Sequence, residues 1–179
     1  MPGSILQIAG LAASVFVGLI FLVAGIDKLR HRALLPGVIA NYRLLPAALV
    51  APAALLLPTV ELVVATGLLS GNRLAAPVAA IALLLVFAAA MAINIRRGRR
   101  NIDCGCGHAA LRQSLGWGLV ARNLGMATAL LPRFVVGPGL ALVDMAVAAL
   151  AGLAAFLLLQ MINAINALPA RPTGNRGRA

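Results

Sequence analysis

Charge is scarce in this chain and acid nearly missing: four Asp and Glu stand against fifteen Lys and Arg in 179 residues, and charged residues make up only 11%. An ordinary soluble domain carries about a quarter. Aromatic residues are few as well, with one Trp, one Tyr and five Phe. That leaves little to stack on bases, so the net charge of +11 and pI near 11.9 do not point to nucleic acid. No nucleotide-binding glycine motif, Ser-His-Asp set or haem-binding pattern occurs, and the enzyme classes that rest on them have no support.

What is present is apolar. Hydrophobic residues account for 62% of the chain and the mean hydropathy is +1.00. A water-soluble fold of this size cannot hide so much apolar surface, so the chain reads as an all-α, polytopic membrane helix bundle. Every apolar run is needed for a span and none remains for a soluble catalytic domain. The expected organisation is one transmembrane domain, residues 1–168, and a basic, disordered C-terminal tail, 169–179. The basic residues then serve as topology signals and contacts to anionic lipid.

Four runs are long enough to cross about 30 Å of hydrocarbon at 1.5 Å per residue. They are 5–26, 47–69 with Pro52, Pro58 and Glu61, 74–95 after the turn Ser70-Gly71-Asn72-Arg73, and 140–165 with Asp144. The first is too long for a signal-peptide core and lacks a basic leader, so it reads as an uncleaved span. A fifth segment, 115–131, is short and holds Arg122 and Asn123. It is either a true span or a helix lying in the interface.

Basic residues decide between four and five spans. With five, Lys28, Arg30, Arg32, Arg43, Arg96, Arg97, Arg99, Arg100, Arg112, Arg171, Arg176 and Arg178 fall on one side, and only Arg73 and Arg133 on the other. Twelve against two is the asymmetry of a cytoplasmic face. It favours five spans in the inner, or plasma, membrane, with the N-terminus outside and the C-terminus cytoplasmic.

The only two cysteines lie in one loop, Asn101-Ile102-Asp103-Cys104-Gly105-Cys106-Gly107-His108. A Cys-Gly-Cys pair closes a small strained disulfide, and strained disulfides are the reactive kind. Arg96, Arg97, Arg99 and Arg100 nearby favour the thiolate, while Asp103 opposes it. A second reading makes Cys104, Cys106 and His108 three soft ligands for zinc or copper(I), though a fourth is lacking. The third is two inert thiols. Redox ranks first and metal second.

Glu61, Arg122 and Asp144 sit inside apolar runs, where an unpaired charge costs on the order of 3 kcal/mol. Depth makes Arg122 with Glu61 the expected pair, either as a functional site or as a lock between helices. Span parity brings Asp27, Lys28, Asn41, Tyr42 and the cysteine loop to one face.

The stretch Phe21-Leu22-Val23-Ala24-Gly25-Ile26-Asp27-Lys28-Leu29 followed by Asn41-Tyr42-Arg43-Leu44-Leu45-Pro46 resembles the methylamine utilisation protein MauE family, within the wider DoxX-like group. The likeness continues through Pro58 to Glu61, Cys104-Gly105-Cys106 and Arg122-Asn123, covering about residues 16–126. Gly107-His108 departs from the aromatic-then-glycine usual there. The resemblance implies Cys104 and Cys106 as the working pair, with Asp27, Lys28, Tyr42, Glu61, Arg122 and Asn123 in support. It implies a thiol-disulfide factor for maturation of the methylamine dehydrogenase small subunit, working with a thioredoxin-like partner on an exported substrate protein.

From the DoxX-like side it implies a different class: a non-enzymatic scaffold or a subunit associated with quinone. A transporter, suggested by Glu61 and Arg122, lacks an internal repeat. The arginine bias puts the cysteine loop in the cytoplasm, whereas direct work on an exported protein puts it outside. Either the loop passes electrons from a cytoplasmic reductant or the arginines mislead.

Overall fold

The computed structural model describes residues 2–99, 115–135 and 139–166. Among them the chain is helical without a strand: α1 Pro2–Arg30, α2 Leu35–Tyr42, α3 Ala47–Leu69, α4 Ala75–Arg96, α5 Trp117–Ala129 with a 3-10 turn Leu131–Phe134, and α6 Leu142–Asn166. The protein is a polytopic helical membrane bundle. Helices α1, α3, α4 and α6 are each long and apolar enough to cross a membrane. Their bounds lie close to the apolar runs, because in hydrocarbon each backbone polar group must be bonded within its own helix. The tail 169–179 lies outside the described residues.

Helix α1 buries a narrow stripe at alternating three- and four-residue steps, Gln7, Gly10, Ser14, Val17, Phe21, Gly25 and Lys28. That is the spacing of one helix face. Helix α3 answers with Pro58, Glu61, Ala65 and Leu68. The core joins Val17 and Phe21 of α1 to Val64 and Leu68 of α3, Ala80 and Leu84 of α4, and Met126 and Leu130 from the α5 region. Helix α6 lies along α1, so close that a β-carbon at Gly152 would stand 2.5 Å from the carbonyl oxygen of Ala12. Most of its large apolar side chains, among them Leu142, Leu150 and Ile165, face outward.

Helix α5 alone is too short, at 13 residues or about 20 Å. The segment that contains it nevertheless runs the length of α4. At one end Leu115 clusters with Ala88, Met91 and Ile95, and at the other an Arg133 guanidinium N–H donates to the Gly71 carbonyl at 2.8 Å, just before α4 begins. The 3-10 turn, at about 2 Å per residue, supplies the missing reach. The described chain therefore traverses the bundle five times, although only four traverses are single long helices.

These contacts define two ends. The turn end holds the start of α1, the α3–α4 turn and the 3-10 turn, with Gly10 against the backbone of Pro132 and Arg133. The loop end holds α2, the start of α3 and the end of α4, tied by an Arg97 N–H donated to the Arg43 carbonyl at 3.5 Å.

Candidate functional site

Helix α1 continues past its apolar run to Arg30, and this places Lys28 in the bundle rather than in a loop. Lys28 Nζ donates to Glu61 Oε1 at 2.8 Å, with the side chains only 8% and 1% exposed. A helical side chain leans toward the N-terminus of its own helix, and lysine is long enough to reach a turn deeper into the bundle. The expected Arg122–Glu61 pair is thereby corrected: Glu61 faces α1, while Arg122 sits on α5, which packs chiefly on α4. Lys28 also leaves the set of loop cations, so the charge asymmetry falls from twelve to eleven against two.

Around this pair the loop end is built from local caps. Helix α4 ends where the Gly98 N–H donates to the Ile95 carbonyl and the Arg99 N–H to the Asn94 carbonyl, with Gly98 at φ +74°. That is a Schellman stop, whose left-handed residue favours glycine. Arg99 folds back so that its guanidinium donates to Asn94 Oδ1 at 3.3 Å, while the Asn94 amide, fully buried, donates to the Ala90 carbonyl at 3.1 Å. Arg96, Arg97 and Arg99 thus stand where the chain leaves α4 for the cysteine loop. Cys104, Cys106, Asp103 and His108 lie outside the described residues.

The other expected residues divide. Tyr42 closes α2 and packs half-buried against the Ala88, Met91 and Ile95 cluster. Asp27, half-buried, pairs locally with the exposed His31, Oδ1 to Nδ1 at 3.3 Å. Asn123 is buried, its amide donating to the Leu119 carbonyl at 2.8 Å. Arg122 is half-buried, and its Nε has no hydrogen-bond partner among the described residues. Asp144 sits in the first turn of α6, where a helix N-terminus favours a carboxylate without any partner at depth.

Four features were not expected. Asn94 and Arg133 are both buried, and α2, whose Leu-Pro start marks a helix N-terminus, shapes the loop end. The fourth is a half-open cavity of about 500 Å³ between α1, α2, α3 and α4. Lys28 and Tyr42 are in its lining, and the rest is apolar.

The family described as methylamine utilisation protein MauE matches residues 6–136, which takes in most of α1 and the chain on through the 3-10 turn, with Lys28, Tyr42, Glu61, Arg122 and Asn123. The chain belongs to the MauE family. The MauE protein of Paracoccus denitrificans is 51% identical over 115 residues, which are 63% of this chain and 61% of that protein. The MauE protein of Methylorubrum extorquens is 42% identical over 145 residues, covering 74% of this chain and 73% of that one. That of Paracoccus versutus is 42% identical over 142 residues, 75% of each. The chain thus spans about three-fifths of the first of these MauE relatives. No solved structure matches it.

Proposed function

We propose that this MauE-family chain is a membrane thiol-disulfide factor that assists maturation of a methylamine dehydrogenase small subunit. The observation that carries the reading is the place of its only two cysteines. They fall as Cys104-Gly105-Cys106 in the connection from α4 to α5, whose flanks, Arg99 and Leu115, both stand at the loop end. Family membership supplies the methylamine context, since the relatives are named as methylamine utilisation proteins.

Chemically the pair needs no cofactor for exchange. A thiolate at one cysteine attacks a partner disulfide, the second cysteine resolves the mixed disulfide, and two electrons and two protons pass to the partner, whose disulfide becomes two thiols. The reverse direction oxidises the partner by the same steps. Arginines at the end of α4 raise the thiolate fraction. The partner that exchanges directly with the pair is a thioredoxin-like protein on the same face as the loop end, and the exported small subunit is served across the membrane rather than by direct contact with the pair. The arginine asymmetry supports a chain in the plasma membrane with its N-terminus outside and the loop end in the cytoplasm. On that face the pair exchanges with a cytoplasmic reductant.

The test replaces Cys104 and Cys106 by Ser in a host that assembles the dehydrogenase. The expected result is loss of the disulfide-complete small subunit at unchanged membrane levels of the variant. Normal assembly would leave the bundle a scaffold and end the redox reading. Labelling with a membrane-impermeant maleimide in intact cells checks the face: protection of both cysteines is expected, and labelling would place the loop outside.

A further inference from the structure

We infer that Arg133 and Arg73, at the turn end, form a binding site for the phosphate group of an anionic phospholipid. Arg133 is only 8% exposed, yet its charge has no acidic partner: the ion pairs among the described residues are Lys28–Glu61 and Asp27–His31, both toward the loop end. Asp144, at the start of α6, takes part in neither. A guanidinium carries five N–H donors. The Gly71 carbonyl accepts from one at 2.8 Å, and Nε is buried with no partner among the described residues. A buried charge left in this state is costly, and an anion is what relieves it.

Packing holds the first arginine in place. Gly10 of α1 lies against the backbone of Pro132 and Arg133, so close that a β-carbon there would stand 2.7 Å from the Arg133 nitrogen. The side chain then reaches across to Gly71. Arg73, two residues on, is exposed and near enough for the two positive charges to act on one another. Two guanidinium groups of like charge at one place suit a phosphate, whose oxygens accept from both.

Depth and surroundings choose the source of the phosphate. Gly71 and Arg73 lie in the turn between the spans Ala47–Leu69 and Ala75–Arg96. At 23 and 22 residues these are about 33 Å long, so the turn stands just beyond ~30 Å of hydrocarbon, at the level of lipid phosphates. Leu74, Leu131 and Phe134, beside the two arginines in sequence, are exposed and give acyl chains an apolar flank. A free phosphate would use the arginines alone. Nor do these two cations serve as topology signals, since span parity sets them opposite the arginine-rich side.

The site is independent of the thiol-disulfide reading. The test is native mass spectrometry of the full chain in a neutral detergent, titrated with dioleoyl phosphatidylglycerol. The tightest-bound lipid is expected to bind about tenfold more weakly to Arg133→Met and to Arg73→Gln, each of which removes a charged donor. Dioleoylglycerol, which lacks the phosphate, is expected not to compete. Arg73→Gln alters an exposed side chain, so it reads the site even where Arg133→Met, which loses the Gly71 bond, fails to fold. The loop-end double change Arg96→Gln with Arg97→Gln should leave the affinity unchanged. A tightest site lost in that double variant and kept in Arg73→Gln would place the lipid at the loop end and overturn the proposal. Displacement by inorganic phosphate or by oligoglutamate as efficient as by the lipid would overturn it too: the first makes the ligand a free anion, the second a carboxylate-bearing protein.

Discussion

The two ends of the bundle are closed by the same devices and carry different cargo. At the turn end, Gly71 at φ +84° stops α3 with its N–H donated to Leu68 and that of Asn72 to Gly67. Asn72 Oδ1 then accepts the N–H groups of Leu74 and Ala76 to start α4, and Arg133 covers Gly71. At the loop end, Gly98 stops α4 by the same pair of bonds. Beyond it come the arginines and the cysteine connection, with the Lys28–Glu61 pair and the cavity below. A similar cap thus leads into a plain turn at one end and into the connection that carries the two cysteines at the other.

The sharpest way to break the comparison is at Lys28. Lys28→Met leaves Glu61 buried with no cation, and should lower stability by about 3–5 kcal/mol in detergent melts. The double change with Glu61→Leu should recover most of that, because an apolar pair fits without desolvating charge. Arg122→Met should show no coupling to Glu61 in the same cycle. At the turn end, Arg133→Met removes a charged hydrogen bond to Gly71, with an expected loss of about 1.5–3 kcal/mol and no change in thiol behaviour.

A matched pair sharpens the contrast. Gly71→Ala and Gly98→Ala both place a β-carbon in open space at a left-handed residue, so each should cost about 1–2 kcal/mol. Only Gly98→Ala should change the alkylation rate of Cys104 and Cys106, read by timed maleimide labelling. The smallest effect belongs to Asp27→Asn. In the Asp27–His31 pair His31 is exposed and Asp27 half-buried, and its loss should shift the melt by less than about 1 kcal/mol.

The four long helices were legible because the bilayer enforces length and apolarity together. Arg122 with Glu61 was misread because depth along a span says nothing of which face a residue takes. Lys28 had a signal: Val17, Phe21, Gly25 and Lys28 continue one stripe of three- and four-residue steps, and a stripe does not end where hydropathy does. Helix α2 was missed because eight residues are too few for a span, although Pro36 marks its start. The cavity could not be read from the chain at all, since its lining is drawn from four helices, α1 to α4, brought together by packing. Membership of the MauE family was legible from short motifs around Lys28, Tyr42, Glu61 and the cysteines.

The claim that the loop end carries a redox pair is tested most directly by counting free thiols. The full chain, equilibrated in membranes with mild oxidising or reducing glutathione buffers, is denatured and alkylated with a mass-shifting maleimide. The account predicts two labels after reduction and none after oxidation, with Cys104 and Cys106 converting together over a narrow range of potential. The same label count in both buffers would contradict it.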